Sequence, residues 1–221
     1  MYGPQPFDIK WVYNLVTLYR PSVFRNQQGF VGRVFGGWSF APLFTAQSDV
    51  PLPVLISGGT GNDCQSFGEM DCTSVGTGNH ENAVALVRYK GGNSAHYNVA
   101  ATGPAGSSGN QSVGGSGINL FSNPSSVYSG FRGLILGVDT NGGGAGVLRG
   151  FGTWNLDMAV TKDIRIREGI GATFSFQFVN VFNHFQPANP SLNIDSPGSF
   201  GVITDQSNSP RPMEFGLRIF F

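Results

Sequence analysis

Three histidines, two cysteines and 13 carboxylates are the residues through which this 221-residue chain could do chemistry. Catalysis needs a nucleophile or base within reach of a partner, and metal binding needs several ligands at short spacing. His80, His96 and His184 each sit in loop-like sequence with no nucleophile or carboxylate motif at a recognisable spacing. Cys64 and Cys72 lie eight positions apart in a polar, glycine-rich stretch, without a second Cys or His pair nearby. That argues against a metal site and leaves open a loop disulfide in an oxidising compartment. The expectation is therefore a protein that is not an enzyme and carries no cofactor.

The composition points the same way. With 13 basic and 13 acidic residues, no net charge suggests nucleic acid as a partner. Charged residues make up 12% of the chain, about half the usual share of ~25%. Aromatics reach 13%, with 19 Phe, beside 33 Gly. A water-soluble surface of this size normally carries more charge, so part of the exterior is expected not to face water. Mean hydropathy is nevertheless -0.05 and no run approaches the ~18 apolar residues of a membrane helix. A membrane location would require strands, because only helices and closed barrels satisfy their backbone in lipid. Met1-Tyr2-Gly3-Pro4 begins no signal peptide, so an exported protein is expected to continue beyond this N-terminus.

Strands are what the pattern offers. Phe7, Ile9, Trp11, Tyr13 and Leu15 alternate with Asp8, Lys10, Val12 and Asn14, and a polar connector follows Tyr19-Arg20-Pro21 through about Arg33. Trp38, Phe40 and Phe44 then oppose Ser39, Thr45 and Gln47, with Pro42 implying an edge, a bulge or weakened pairing. Trp154, Leu156, Met158, Val160, Ile164 and Ile166 oppose Asn155, Asp157, Thr161, Asp163, Arg165 and Arg167. Lys162 is the single charge on that apolar face, tolerable where it snorkels to a water interface. After a tight turn at Arg167-Glu168-Gly169, Ile170, Ala172, Phe174, Phe176 and Phe178 oppose Gly171, Thr173, Ser175 and Gln177. Parity slips beyond Phe178, which predicts a bulge or the membrane boundary.

Between Gly58 and Gly152, 95 residues hold 23 of the 33 glycines. Within this stretch Ala83 to Lys90 reads as an accessory strand, and Asn123-Pro124-Ser125-Ser126 as the capped start of a short helix. His184 to Ser199 is loop, Phe200 to Thr204 a strand stub, and Gln206 to Pro212 turn-like. The last strand carries Phe215, Leu217, Ile219 and Phe221 against Glu214, Gly216 and Arg218.

Glu214, Gly216, Ile219 and the terminal Phe221 fill the four places of a pattern that resembles the C-terminal assembly signal of Gram-negative outer-membrane β-barrels. The fold class expected is all-β: an antiparallel meander forming the last ~5 strands of a large transmembrane barrel with a long Gly-rich extracellular loop. The strands fall at about 7–19, 36–48, 153–167, 169–183 and 212–221, with extracellular loops at 49–152 and 184–211. Barrels of this type keep short turns on the periplasmic side and long loops outside. The tight turn after Arg167 is then periplasmic, and the last strand descends to end at the periplasmic rim. The polar residues Asn155, Asp157, Ser175, Gln177 and Arg218 would face the lumen.

Gly36-Gly37-Trp38-Ser39-Phe40, Phe44-Thr45-Ala46-Gln47-Ser48, Gly146-Val147-Leu148-Arg149-Gly150, Trp154-Asn155-Leu156-Asp157, Phe178-Val179-Asn180-Val181-Phe182-Asn183-His184 and the tail from Ser209 to Phe221 resemble the C-terminal barrel strands of TonB-dependent receptors. The resemblance is to the Oar-like receptors of Acidobacteria that carry a carboxypeptidase-regulatory-like domain, and it implies a 22-stranded barrel, an N-terminal plug and a TonB box. This chain has about five strands, no plug and no TonB box, so the resemblance implies a C-terminal part of an energy-coupled uptake receptor in the bacterial outer membrane. Its partners would be the lipid bilayer, the barrel-insertion machinery, the plug and remaining strands of the same receptor, and TonB through that missing part; no nucleic acid is implied. A secreted, soluble β-sandwich acting as a binding or adhesion module fits the alternation equally well.

Overall fold

The computed structural model describes residues 7–24, 26–57, 80–91, 93–133 and 147–221, which fall into two compact units. One contains Trp11–Gln47, Thr153–Phe185 and Asn208–Phe221; the other contains Met1–Lys10, Ser48–Gly152 and Gln186–Ser207.

The first unit is a five-stranded antiparallel meander of β1 (Val12–Val16), β2 (Trp38–Gln47), β3 (Thr153–Arg167), β4 (Ile170–Phe178) and β5 (Met213–Phe220), paired in that order. The pairing register sorts side chains by parity, since cross-strand partners share a face. Leu15, Phe44 and Leu156 are partners, as are Phe40, Val160, Phe176 and Phe215. The opposite face aligns Asn14, Thr45 and Asn155, and then Thr173 with Arg218. One face of the sheet is thus apolar across all five strands and the other mainly polar.

Several boundaries differ from the sequence expectation. The first strand was expected over about 7–19 but pairs regularly over Val12–Val16, with a further bridge from Tyr19 to Phe40. Residues 7–10 belong instead to the other unit, where Arg149 donates to the Asp8 carbonyl at 3.2 Å and Lys10 N donates to Ser48 Oγ at 2.8 Å. Pro42 lies in an interior strand without a register shift, and the weakening it causes falls on the β1 side. Its carbonyl accepts from Thr17 N, but Pro42 has no N–H to return, and regular pairing of β1 stops at Val16. The connector before β2 contains a helix, α1 (Gly29–Phe35). The register shift lies at Arg165/Arg167, before the Gly169 turn, and takes Ile166 out of the alternation. Where a bulge or the membrane boundary was expected, β4 ends at Phe178 and Asn180 turns the chain with φ 52°.

The second unit gathers both long connections into a structure with its own core. Leu52, Val54, Ile56, Leu120, Phe121, Phe131, Leu148, Leu192 and Phe200 are buried together. Phe200, fully buried, stacks on Phe121 at 5.6 Å and meets the edge of Tyr128 at 5.3 Å. The buried Asn119 amide donates to the Phe200 carbonyl and accepts from Phe121 N, satisfying backbone groups that the short strands leave over. Leu55–Ser57 pairs with His80–Asn82, and Val84–Ala85 with Phe131–Arg132, so the accessory strand expected after Ala83 forms in its first residues. The short helix α2 (Pro124–Tyr128) starts as its sequence predicts, with the Asn123 side chain accepting from Ser126 N at 3.0 Å. The stub expected at Phe200 to Thr204 is reduced to a single bridge between Val202 and Asn119. Arg149 ties the unit together by donating to Asp49 Oδ1 at 2.8 Å and to Asp8 Oδ2 at 3.4 Å.

Candidate functional site

The functional surface of the sheet unit is its pair of faces. In a water-soluble domain apolar side chains are buried and charges exposed. Here Ala172 is the sole buried hydrophobic residue among those described, while Gln27, Ser39, Lys162 and Asn180 are buried. On β5, Phe215, Leu217 and Ile219 are 63%, 57% and 59% exposed. A soluble sandwich would bury that face against a second sheet; this one presents it outward.

Aromatic residues mark both ends of the apolar face. At one end Trp154 lies 6.5 Å from Phe44 and 5.8 Å from Phe182. At the other, Trp38 stacks on Phe40 at 6.3 Å and Phe40 on Tyr19 at 6.5 Å. Trp154 pairs with Ala46, eight residues along β2 from Trp38. At ~3.3 Å per residue and a tilt of ~40°, that spacing covers roughly 20 Å along a membrane normal. This is close to the ~25 Å apolar band, with aromatic girdles, of an outer-membrane barrel wall.

A family model described as an outer membrane beta barrel domain matches residues 1–214. The chain belongs to that family. No curated protein and no solved structure matches it. The protein is accordingly an all-β outer-membrane barrel protein of bacteria, and the apolar face of its sheet is the lipid face.

The barrel register places all five lumen-facing candidates together. Asn155 opposes Thr45, Asp157 opposes Leu43, Ser175 opposes Thr161 and Gly216, Gln177 opposes Ala159 and Glu214, and Arg218 opposes Thr173. Thr173 Oγ1 donates to Asp163 Oδ1 at 2.7 Å on the same face. Of the four residues expected to form an assembly signal, Glu214 and Gly216 lie on this polar face, Ile219 pairs with Ala172 on the apolar face, and Phe221 follows the strand fully exposed. A Cβ at Gly216 would come to 2.5 Å from Ser175 Oγ, so a larger residue there would make that hydroxyl rotate away.

A network that the sequence did not advertise closes the Trp154 end of the wall. Asp157 Oδ1 accepts from Asn155 Nδ2 at 2.6 Å and from Asn180 N at 2.9 Å. Asn180 Nδ2 donates to the Ser209 carbonyl at 3.1 Å, and its Oδ1 meets His184 Nδ1 at 3.1 Å. His184 lies flat on Trp154, with ring centroids 3.9 Å apart. Asn183 Oδ1 accepts from Arg211 N, and Asn208 Nδ2 donates to the His184 carbonyl. Two asparagines hold left-handed backbone, Asn180 at φ 52° and Asn183 at 47°. Asp157 was singled out as a lumen candidate; it lies on the polar face, and its carboxylate also anchors the turn that leaves β4. The signal was present as two Asn three apart, since Asn tolerates φ > 0 best after glycine.

The remaining candidates do not converge. His96 pairs through its backbone with Asn119, and His80 with Ser57. Among the described residues no group of three or more His, Cys, Asp or Glu could hold a metal ion. Cys64 and Cys72 lie outside the described residues. In the second unit a recess of 280 Å³ is lined by Ser108, Asn189, Ser191, Ser199, Thr204 and Asp205. Ser108 Oγ donates to the Gly198 carbonyl and Thr204 Oγ1 to Asp205, so part of its polar lining is engaged internally.

Proposed function

We propose that this protein supplies the C-terminal wall of a TonB-dependent receptor barrel for energy-coupled uptake of a ligand, together with surface loops and the assembly signal. The observation that carries the reading is the open sheet. β1 and β5 each have one neighbour among the described residues, while a membrane strand in lipid needs both edges paired. The five strands of the described sheet fall short of the ~8 that close the smallest barrel, which supports a wall completed by further strands. Resemblance of the tail and of the Trp154 and Asn180 segments to TonB-dependent receptors supports a large barrel of that kind. In that reading the remaining strands and the plug belong to the same receptor, and TonB acts through that part. The insertion machinery reads the tail, the connections at 49–152 and 184–211 lie outside the cell, and the chain performs no catalysis.

The test is the genomic DNA upstream of the Met1 codon. An in-frame continuation encoding more alternating strands, a plug and a signal peptide is expected. A stop codon immediately upstream, preceded by a promoter and ribosome site, would overturn the receptor reading.

A further inference from the structure

The 21-residue connection between β1 and β2 contains a helix whose polarity is inverted. At 100° per residue, Phe30, Val31, Val34 and Phe35 of α1 fall within an arc of about 140°. A surface helix of a soluble domain turns such a stripe inward; here the four are 82%, 52%, 42% and 62% exposed, and Gly32 faces the protein. The Gly32 side packs so closely on Gln27 that a Cβ would lie 2.9 Å from the Gln27 carbonyl carbon.

The helix is nevertheless held fast, and on a definite side of the wall. Lys162 and Trp38 are cross-strand partners on the lipid face. Lys162 Nζ donates to the Val34 carbonyl at 3.0 Å and to the Gly36 carbonyl, and lies 5.0 Å from the Trp38 ring centroid. Trp38 Nε1 donates to the same Val34 carbonyl at 3.0 Å. The last turn of α1 therefore sits on the lipid side. Gln27 secures the approach: its amide donates to the Asp163 carbonyl and accepts from Arg165 N, continuing the ladder where β2 begins. Between Tyr19 and Gly37 the sequence carries Arg20, Arg25 and Arg33 and no carboxylate.

We propose that α1 is an interfacial helix that seats Phe30, Val31, Val34 and Phe35 in the phospholipid leaflet at the periplasmic rim of the outer membrane. Two observations select lipid as the occupant. The exposed stripe is continuous with the lipid face through Trp38 and Lys162, and the connection is uniformly basic, which suits phosphate headgroups. The leaflet follows from the wall's orientation: α1, the tight turn at Gly169 and the end of β5 share one end of the sheet, and short turns are periplasmic.

Nitroxide labels test this in vesicles of phosphatidylethanolamine and phosphatidylglycerol, using the completed barrel, this chain together with the strands that close its wall, with Cys64→Ser and Cys72→Ser. Labels are placed singly at Phe30→Cys, Arg33→Cys and Phe176→Cys. Collision with lipid-dissolved oxygen relative to an aqueous nickel chelate is expected to be several-fold higher at 30 than at 33, approaching that at 176. Equal access of the nickel chelate at 30 and 33 would overturn the proposal, as would a label at 30 shielded from both reagents, which would mean a protein partner. Absence of oxygen contact at 176 would show that the wall itself had not inserted, a failure of the membrane wall rather than of the helix.

Discussion

Asn180 ties together three segments at one end of the wall. Its left-handed backbone turns the chain out of β4, its N–H reaches Asp157, and its amide joins Ser209 to His184. Replacing it by alanine removes two side-chain hydrogen bonds at about 1 kcal/mol each, and leaves a left-handed residue that costs about 1 kcal/mol more. Asn180→Ala is thus expected to destabilise the protein by about 3 kcal/mol, and Asn180→Gly by about 1 kcal/mol less because glycine keeps the backbone. Urea unfolding of the protein in detergent micelles measures both. Equal losses would show that the bonds, not the backbone, hold the turn.

At the scale of elements, β4 tests the assignment of faces within two adjacent residues. Phe176 lies on the apolar face between Val160 and Phe215, and Ser175 lies on the polar face, proposed to line the lumen, between Thr161 and Gly216. Phe176→Arg is expected to cost about 2–4 kcal/mol of folding into vesicles, the price of an arginine near the bilayer midplane. Ser175→Arg should cost much less, and a reversed order would invert the faces. The helix α1 makes a second test. In Lys162→Met the stem is kept but the carbonyls of Val34 and Gly36 lose their donor, so trypsin should cut at Arg33 faster while the sheet's circular dichroism stays unchanged. No change in cutting rate would mean that Gln27 and Trp38 suffice to hold the connection.

These two elements also show what a sequence can and cannot disclose. The register of β2 to β5 was legible because period-two alternation survives over eight or more residues, and a one-residue slip would move Phe174, Phe176 and Phe178 to the lumen together. Helix α1 was not legible. Glycines at 29, 32, 36 and 37 lower helix propensity, and Gln28 makes no side-chain cap bond. What fixes it is Lys162, over 120 positions away, which the alternation marks merely as a charge on an apolar face. Snorkelling to water was the expectation for that lysine; it is 6% exposed and caps backbone carbonyls instead. The asparagine network was half legible, as two residues suited to φ > 0 without any indication of their partners.

Across the whole molecule, the two units follow opposite rules of burial, and this predicts that they fail separately. Among the described residues every buried hydrophobic except Ala172 belongs to the unit built from the long connections. Its core residues are spread from Leu52 to Phe200 without periodicity and diluted by glycine, which is why the stretch reads as loop although much of it is packed. Phe200 is the natural point of attack, fully buried between Phe121 and Tyr128. Truncating it should cost about 3–5 kcal/mol, enough to unfold a unit this small. The sheet draws its stability from lipid and backbone pairing, so it should not follow. In intact cells carrying Phe200→Ala in the completed barrel, proteinase K is expected, on the proposed orientation, to cut within 49–152 or 184–211 many times faster, while the amount in the outer membrane stays the same. Loss of the protein from the membrane would mean instead that the packed connections are needed for the wall to assemble.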